Sequence, residues 1–241
     1  MLGYLKLEVL RILRDGGYLM MNLVSPLTMY LVFTNIDLGG QGHRDAAIYS
    51  MVGMAAWGAV GAVLTNGVAI AEDKALGWIR QLRLLPLHPM QVVTARTLCA
   101  MIVAVPPIAG VCLAGGLVNG VSLSAGQWTA IGLLLWVGVA PIAALGLGIG
   151  YLFSPTKAQA VGMIGYMGLS LLGGLWVPVA KLPRWAADVA PITPINRYGE
   201  LSWRIAYGHA PLPAGVGVLT AWFAAFAVLA VAAYRWSSRR A

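Results

Sequence analysis

Charged side chains are concentrated in one short stretch between two long apolar runs. Glu72 and Asp73 open the stretch, and Arg80 and Arg83 close it. This order favours a short helix, because anions stabilise the positive N-terminal end of the helix dipole and cations the negative C-terminal end. The apolar residues between them recur at three-residue steps and share one face: Leu76, Ile79 and Leu82. The pattern predicts an amphipathic helix over residues 72–83.

A helix of this kind has two possible roles, and the residues alone leave both open. It can pack against a soluble partner protein, with Trp78, Ile79 and Leu82 as the apolar contact. Alternatively, it can lie on the lipid headgroups. Both roles are possible because the apolar runs on either side of the helix are long enough to cross a membrane.

The composition is that of an integral membrane protein. Of the 241 residues, 59% are hydrophobic and 10% are charged, whereas a soluble domain carries about 25% charged residues. A transmembrane helix needs roughly 20 apolar residues, so the whole chain, residues 1–241, is interpreted as one membrane domain. The net charge of +8 is attributed to basic residues that flank the spans, and not to binding of nucleic acid.

The expected fold is all-α, with six transmembrane helices. The apolar runs place them at about 18–36, 46–70, 93–117, 127–152, 158–177 and 213–234. Residues 1–16 form an amphipathic pattern typical of an N-terminal interfacial helix, with Arg11 and Arg14 on its polar side. Residues 179–212 are too apolar for a free loop, so short helices are expected there at the outer membrane face.

Two features of the spans have direct structural consequences. The pair Pro106-Pro107 should kink or break the third span, as a packing feature or as a hinge. Glycines give the second span small surfaces for close helix packing; they are Gly53, Gly58, Gly61 and Gly67.

The basic residues set the orientation. With the N-terminus inside, only five of the 16 Lys and Arg residues fall in outer segments: Arg44, Lys181, Arg184, Arg197 and Arg204. The positive-inside rule therefore places both termini and the 72–83 helix in the cytoplasm.

Several kinds of chemistry are missing from the sequence. No Gly-Lys dipeptide occurs, which excludes a P-loop and ATP hydrolysis by this chain. The three histidines fall in connections, so no metal site is predicted, and no Ser–His–Asp arrangement is evident at membrane depth. Cys99 and Cys112 lie roughly 20 Å apart along one helix, too far for a disulfide. The chain is thus expected to be no enzyme and to hold no cofactor.

A membrane pathway without its own energy source must take work from a partner. Three groups of residues carry a resemblance to a known family. The first is Glu8-x-x-Arg11-x-x-Arg14-Asp15, ahead of a span containing Pro26. The second is an acid, then Gly77, then Arg80-x-Leu82-Arg83 and Leu85-Pro86-Leu87-x-Pro89. The third is Gly173-Gly174-Leu175-Trp176-Val177-Pro178 with Leu182-Pro183-x-Trp185 and Pro191-Ile192-Thr193-Pro194. With these three groups in this order, the chain resembles the permease subunit of ABC-2 type transporters, which are bacterial ATP-binding-cassette exporters.

The resemblance implies a six-span subunit in the bacterial cell membrane that pairs with a second permease subunit, identical or different. It also implies a separate cytoplasmic ABC ATPase, which binds ATP and Mg²⁺ and contacts the helices at 1–16 and 72–83. Spans one, two and five would face the dimer interface and the substrate path. The ATPase-coupling residues would be Glu72, Asp73, Trp78, Ile79, Arg80, Leu82 and Arg83.

The substrate is open at this stage. The spans carry scattered polar groups among many Met and aromatic residues, which suits hydrophobic or amphipathic cargo such as a drug, an antibiotic or a lipid-like molecule. Plain helix packing needs the same residues, so no substrate-binding residue is assigned. The alternative function is a membrane scaffold or assembly subunit without a transport cycle, whose 72–83 helix binds a partner that is not an ATPase.

Overall fold

A computed structural model describes residues 16–35, 43–76 and 89–240, and every regular element in these ranges is helical. Helix α1 begins as Gly16–Leu19, passes through the π-helical turn Met20–Val24 and continues as Ser25–Asn35. The remaining α-helices are α2 (His43–Ala75), α3 (Pro89–Val103), α4 (Val105–Leu117), α5 (Ala125–Gly138), α6 (Ala140–Leu152), α7 (Pro155–Leu172), α8 (Arg184–Val189), α9 (Pro194–Ala206) and α10 (Pro213–Arg240). Short 3-10 helices at Val179–Lys181 and Ala190–Ile192 flank α8.

Helix α2 lies at the centre of the protein. It packs against α1, α4, α6, α7 and α9, and 94% of its most apolar stretch is buried inside the protein. Helix α10 is the opposite case. It packs mainly on α6, and only 17% of its most apolar stretch is buried. The protein therefore has a helix that contacts most of the others and a peripheral helix that leaves most of its apolar surface uncovered.

The glycines of α2 allow this central position, as predicted. A Cβ at Gly58 would lie 2.8 Å from Pro107 and 2.9 Å from Pro26, which belong to α4 and α1. A Cβ at Gly53 would overlap the carbonyl oxygen of Leu175, and one at Gly67 would overlap the backbone of Gly146 in α6. Each glycine thus admits a different neighbour at a distance that a larger residue would prevent.

Prolines divide two of the long apolar runs. The predicted break at Pro106-Pro107 is confirmed: α3 ends at Val103 and α4 begins at Val105. Pro141 has the same effect between α5 and α6, where Val139 separates the two helices. Proline in the first turn of the second helix explains both positions, because it lacks the N–H that a continuous helix would need.

The connection after α7 folds into short helices that pack on the bundle. Helix α9 is capped by the preceding residue, Thr193, whose hydroxyl accepts a hydrogen bond from the backbone N–H of Asn196 at 3.3 Å. The Tyr198 hydroxyl donates to the Leu135 carbonyl of α5 at 3.0 Å, and the Trp203 indole donates to the Tyr49 carbonyl of α2 at 3.0 Å. Apolar and hydrogen-bonding groups together hold α9 against α2 and α5.

Among the described residues, four helical segments are long and apolar enough to cross a membrane: Arg44–Ala75, Met90–Leu117, Ala125–Leu152 and Pro213–Ser238. The second consists of α3 and α4, and the third of α5 and α6. The protein is therefore an all-helical, multi-pass membrane protein. The apolar part of α1, Asn22–Thr34, is shorter, and α7 opens with the polar residues Thr156, Lys157 and Gln159. For these two helices membrane crossing stays a prediction, and so does the count of six spans.

Candidate functional site

The first charged residues of the predicted coupling helix lie in the last turn of α2. Glu72, Asp73 and Lys74 continue α2 as far as Ala75, and the Leu76 N–H donates to the Glu72 carbonyl at 3.0 Å. The helix expected to start at residue 72 therefore has no boundary there. The sequence explains this difference, since residues 68–75 contain neither glycine nor proline and are mostly residues compatible with a helix.

Asp73 forms an ion pair with Arg96 of α3. The carboxylate oxygen and the guanidinium nitrogen are 3.3 Å apart, and the side chains are 24% and 8% exposed. Because Arg96 is almost fully buried, the carboxylate neutralises a charge that would otherwise lie in a poorly solvated position. The pair joins the end of α2 to the middle of α3, and these two helices flank residues 77–88.

Lys74 joins the same end of α2 to a third helix. Its ammonium group donates to the carbonyl of Tyr151 at 2.9 Å and to the carbonyl of Phe153 at 2.7 Å. These carbonyls lie at the C-terminus of α6, where the last carbonyls of a helix lack partners within it and carry its negative dipole end. Lys74 thus caps α6 from a neighbouring helix, next to the turn that leads into α7 at Pro155.

Glycine contacts bring α6 within reach of Lys74. Gly67 of α2 faces Gly146 and Gly150 of α6, and a Cβ at either Gly67 or Gly150 would overlap backbone atoms of the other helix. Lys74 lies seven residues, about two helical turns, beyond Gly67. The close crossing of the two backbones therefore positions the ammonium group over the end of α6. Together these contacts connect α2, α3, α6 and the start of α7 at one end of the protein.

The other predicted site residues fall differently. Glu72 is exposed on the last turn of α2. The remaining coupling residues, Trp78, Ile79, Arg80, Leu82 and Arg83, lie outside the described residues, as do Arg11 and Arg14. Their roles stay predictions.

Sequence reasoning missed Lys74 and Arg96 as members of this site. Arg96 did carry a signal, because it stands alone in an apolar run, and an ionised group within a span normally has a partner. Its partner could not be read from spacing, since Asp73 precedes it by 23 positions. Lys74 gave no signal, because its acceptors are backbone carbonyls, which every residue has.

Nothing in the described part of the chain suggests a metal centre, since no three His, Cys, Asp or Glu side chains group together there. What the site offers is mechanical connection between helices. A family model for the ABC-2 type transporter matches residues 4–200, which include α2, α3, α6 and the segment between α2 and α3. The chain belongs to the ABC-2 type transporter family. The resemblance given by the sequence motifs is therefore confirmed.

A curated relative agrees with this family. The chain is 26% identical over 224 residues to a Bacillus subtilis protein with the description "Putative transport permease YvfS", covering 92% of this chain and 91% of the relative. Members of the ABC-2 family are membrane permease subunits of ABC transporters, and the family implies association with an ABC ATPase. This chain is accordingly a permease subunit of a transporter.

Proposed function

We propose that this ABC-2 permease subunit forms the membrane pathway of an exporter for a hydrophobic or amphipathic substrate, such as a drug, an antibiotic or a lipid-like molecule. A separate cytoplasmic ATPase binds ATP and Mg²⁺ and supplies the work. The observation that carries the proposal is the connected end of α2, where Asp73 and Lys74 contact two other helices at the entrance to the predicted coupling segment.

The contacts suggest how work enters the membrane domain. The ATPase pushes on residues 77–88, which connect α2 to α3. The Asp73–Arg96 ion pair holds the two flanking helices together, so both move as a unit. Lys74 extends that unit to the end of α6 and to the turn before α7. Because α2 contacts most other helices, its displacement rearranges the bundle.

Docking of the ATPase is assigned to the part of the coupling segment beyond α2. Trp78, Ile79 and Leu82 fill an apolar groove on the ATPase, and Arg80 and Arg83 pair with its acidic groups. Glu72, exposed at the end of α2, meets a basic group. Arg11 and Arg14 of the 1–16 helix complete the contact from the headgroup region. Both termini lie in the cytoplasm, the complex sits in the bacterial cell membrane, and a second permease subunit completes the transporter.

Co-purification with the ATPase tests this proposal. The permease is co-expressed with an ABC ATPase from the same organism and purified in mild detergent, as wild type and as a Trp78→Ala/Leu82→Ala variant. The matched control is Trp185→Ala/Leu133→Ala, which removes the same side chains from positions that are 65% and 59% exposed on other helices. We expect wild type and control to retain the ATPase and the Trp78→Ala/Leu82→Ala variant to release it.

The scaffold function is the other outcome of this experiment. If folded wild-type permease retains no ATPase, the exporter proposal fails. A membrane assembly subunit whose coupling segment binds a different partner would then be the better account.

A further inference from the structure

Four buried or half-buried side chains between α2, α7 and the turn after α7 carry a hydrogen-bonding atom that no group in the described ranges satisfies. The atoms are the indole nitrogens of Trp57 and Trp176, the hydroxyl of Tyr166 and the hydroxyl of Ser170. Trp57 is 4% exposed, Tyr166 7% and Ser170 0%. An unsatisfied polar atom away from water is unfavourable, so a group of four needs an explanation.

The three aromatic side chains are joined by direct ring contacts. The rings of Trp57 and Tyr166 stack with centroids 5.4 Å apart and planes 3° from parallel. The Trp176 ring meets Trp57 edge-on at 5.3 Å. Ser170 lies one helical turn after Tyr166 on α7, on the same side of the helix. The Tyr166 hydroxyl lies over Gly61 of α2, 2.8 Å from the position that a Cβ would take there.

Several aromatic donors elsewhere in the described bundle do find acceptors. The indoles of Trp136, Trp203 and Trp222 donate to backbone carbonyls at 3.0, 3.0 and 2.8 Å, and the Tyr198 hydroxyl donates at 3.0 Å. Partnerless atoms also occur at Tyr30, Asn66, Asn119 and Ser202, outside this set of ring contacts. Three of the four buried aromatic donors that lack an acceptor among the described residues thus lie together, next to Ser170. We call this group the donor cluster: Trp57, Tyr166, Ser170 and Trp176.

We infer that the donor cluster is a binding site for a neutral amphipathic molecule that has a flat apolar body and carbonyl or ether oxygens. The inference rests on the proposed transport function, because it identifies the substrate class of the same pathway. Indole nitrogens only donate hydrogen bonds, so the ligand must supply acceptors. All four side chains are uncharged, which favours a neutral ligand over an ion. The stacked rings provide a flat surface for an apolar body.

The position of α7 makes the cluster reachable. Its other face is uncovered, with Ile164 74% exposed, and additional atoms at Gly165 and Gly168 would meet open space. The α7 helix is therefore held against α2 from one side. A ligand that enters between them separates the Tyr166 ring from Trp57 and accepts hydrogen bonds from the donors that no described protein group satisfies.

Fluorescence titration of the full-length permease in lipid nanodiscs tests the inference. The probe is Nile red, which is neutral and flat and carries a carbonyl and an ether oxygen. Pyrene is the matched probe, because it is flat and apolar but has no acceptor. The variants Trp57→Phe and Tyr166→Phe each remove a donor and keep an aromatic ring. Trp222→Phe is the control, since it removes an indole that already donates to Ile192.

We expect saturable Nile red binding above that of empty nanodiscs. The Kd should rise about three- to ten-fold in Trp57→Phe and in Tyr166→Phe, corresponding to one lost hydrogen bond each, and should not change in Trp222→Phe. Pyrene should show no saturable component. If one donor variant does not purify as folded protein, the other decides.

Two results would overturn the inference: no saturable Nile red binding to wild type, or equal affinity in all variants. The assay contains no ATPase, so its failure is distinct from failure of the proposed function. A permease that retains its ATPase but does not bind Nile red through these donors is an ABC-2 permease with a different substrate class.

Discussion

The last turn of helix α2 and the region near its middle differ in whether polar side chains have hydrogen-bonding partners within the protein. In the last turn, Asp73 pairs with Arg96 and Lys74 donates to two carbonyls of the α6 terminus. Near the middle, Trp57 packs against Tyr166 and Trp176, and the polar atoms of all three lack partners in the described structure. The last turn contacts α3 and the end of α6, whereas the middle contacts α7 and the turn after it.

The contrast separates two tasks. Groups that are satisfied within the protein fix the relative positions of helices, and breaking them costs stability. Groups that are left unsatisfied add no stability and remain available for a ligand. We expect the last turn of α2 to transmit movement and the donor cluster to contact the transported molecule. The following predictions compare these two regions by their effect on stability, from the largest to the smallest.

The largest effect is expected at the ion pair. Replacing Asp73 with Leu removes an acidic partner of the buried Arg96, which should lower the free energy of unfolding by about 3 kcal/mol. The double variant Asp73→Leu/Arg96→Met removes both charges and should recover most of that loss, because an apolar pair of similar size is often as stable as a buried ion pair. Thermal unfolding in detergent measures both. Equal destabilisation by the single and the double variant would contradict the role given to the pair.

A smaller loss is expected at the helix crossing that positions Lys74. Gly67→Ala places a methyl group against the backbone of Gly146, so the helices must separate at a cost of about 2 kcal/mol. Gly132→Ala on α5 is the matched control, since nothing lies within 4 Å of its Cβ position and alanine favours a helix. The unfolding midpoint should fall below that of wild type in Gly67→Ala and rise above it in Gly132→Ala. A Gly67→Ala protein as stable as wild type would show that α2 and α6 are not held by this contact.

The smallest effect is expected within the donor cluster. Tyr166→Phe removes a hydroxyl that no described residue satisfies, so stability should stay within about 0.5 kcal/mol of wild type or rise. Tyr198→Phe removes a hydroxyl that donates to Leu135 and should cost about 1 kcal/mol. Comparison of the two unfolding midpoints in detergent measures the difference. If Tyr166→Phe is the more damaging change, the hydroxyl of Tyr166 has a structural partner and the donor cluster loses its basis.

Local features of the sequence predicted a good part of this fold. The break at Pro106-Pro107 follows from proline geometry, and the small surfaces of Gly53, Gly58, Gly61 and Gly67 follow from their size. The start of the coupling helix at Glu72 was misplaced, since a favourable charge order does not interrupt a helix that has no glycine or proline. The Asp73–Arg96 pair and the acceptors of Lys74 were out of reach, because partners 23 and 77 to 79 positions away depend on how helices cross.

The most direct test of the central claim separates transmission from docking. The permease and its ATPase are reconstituted in nanodiscs, and the ATP hydrolysis rate and the amount of bound ATPase are measured for wild type, Lys74→Arg and Lys74→Met. Lys74→Met removes the cap on α6 but leaves residues 77–88 unchanged. The account predicts that Lys74→Met retains the ATPase while its hydrolysis rate changes several-fold from that of wild type, and that Lys74→Arg stays close to wild type because it keeps the charge. Hydrolysis at the wild-type rate in Lys74→Met, with the ATPase bound, would contradict transmission through the end of α2.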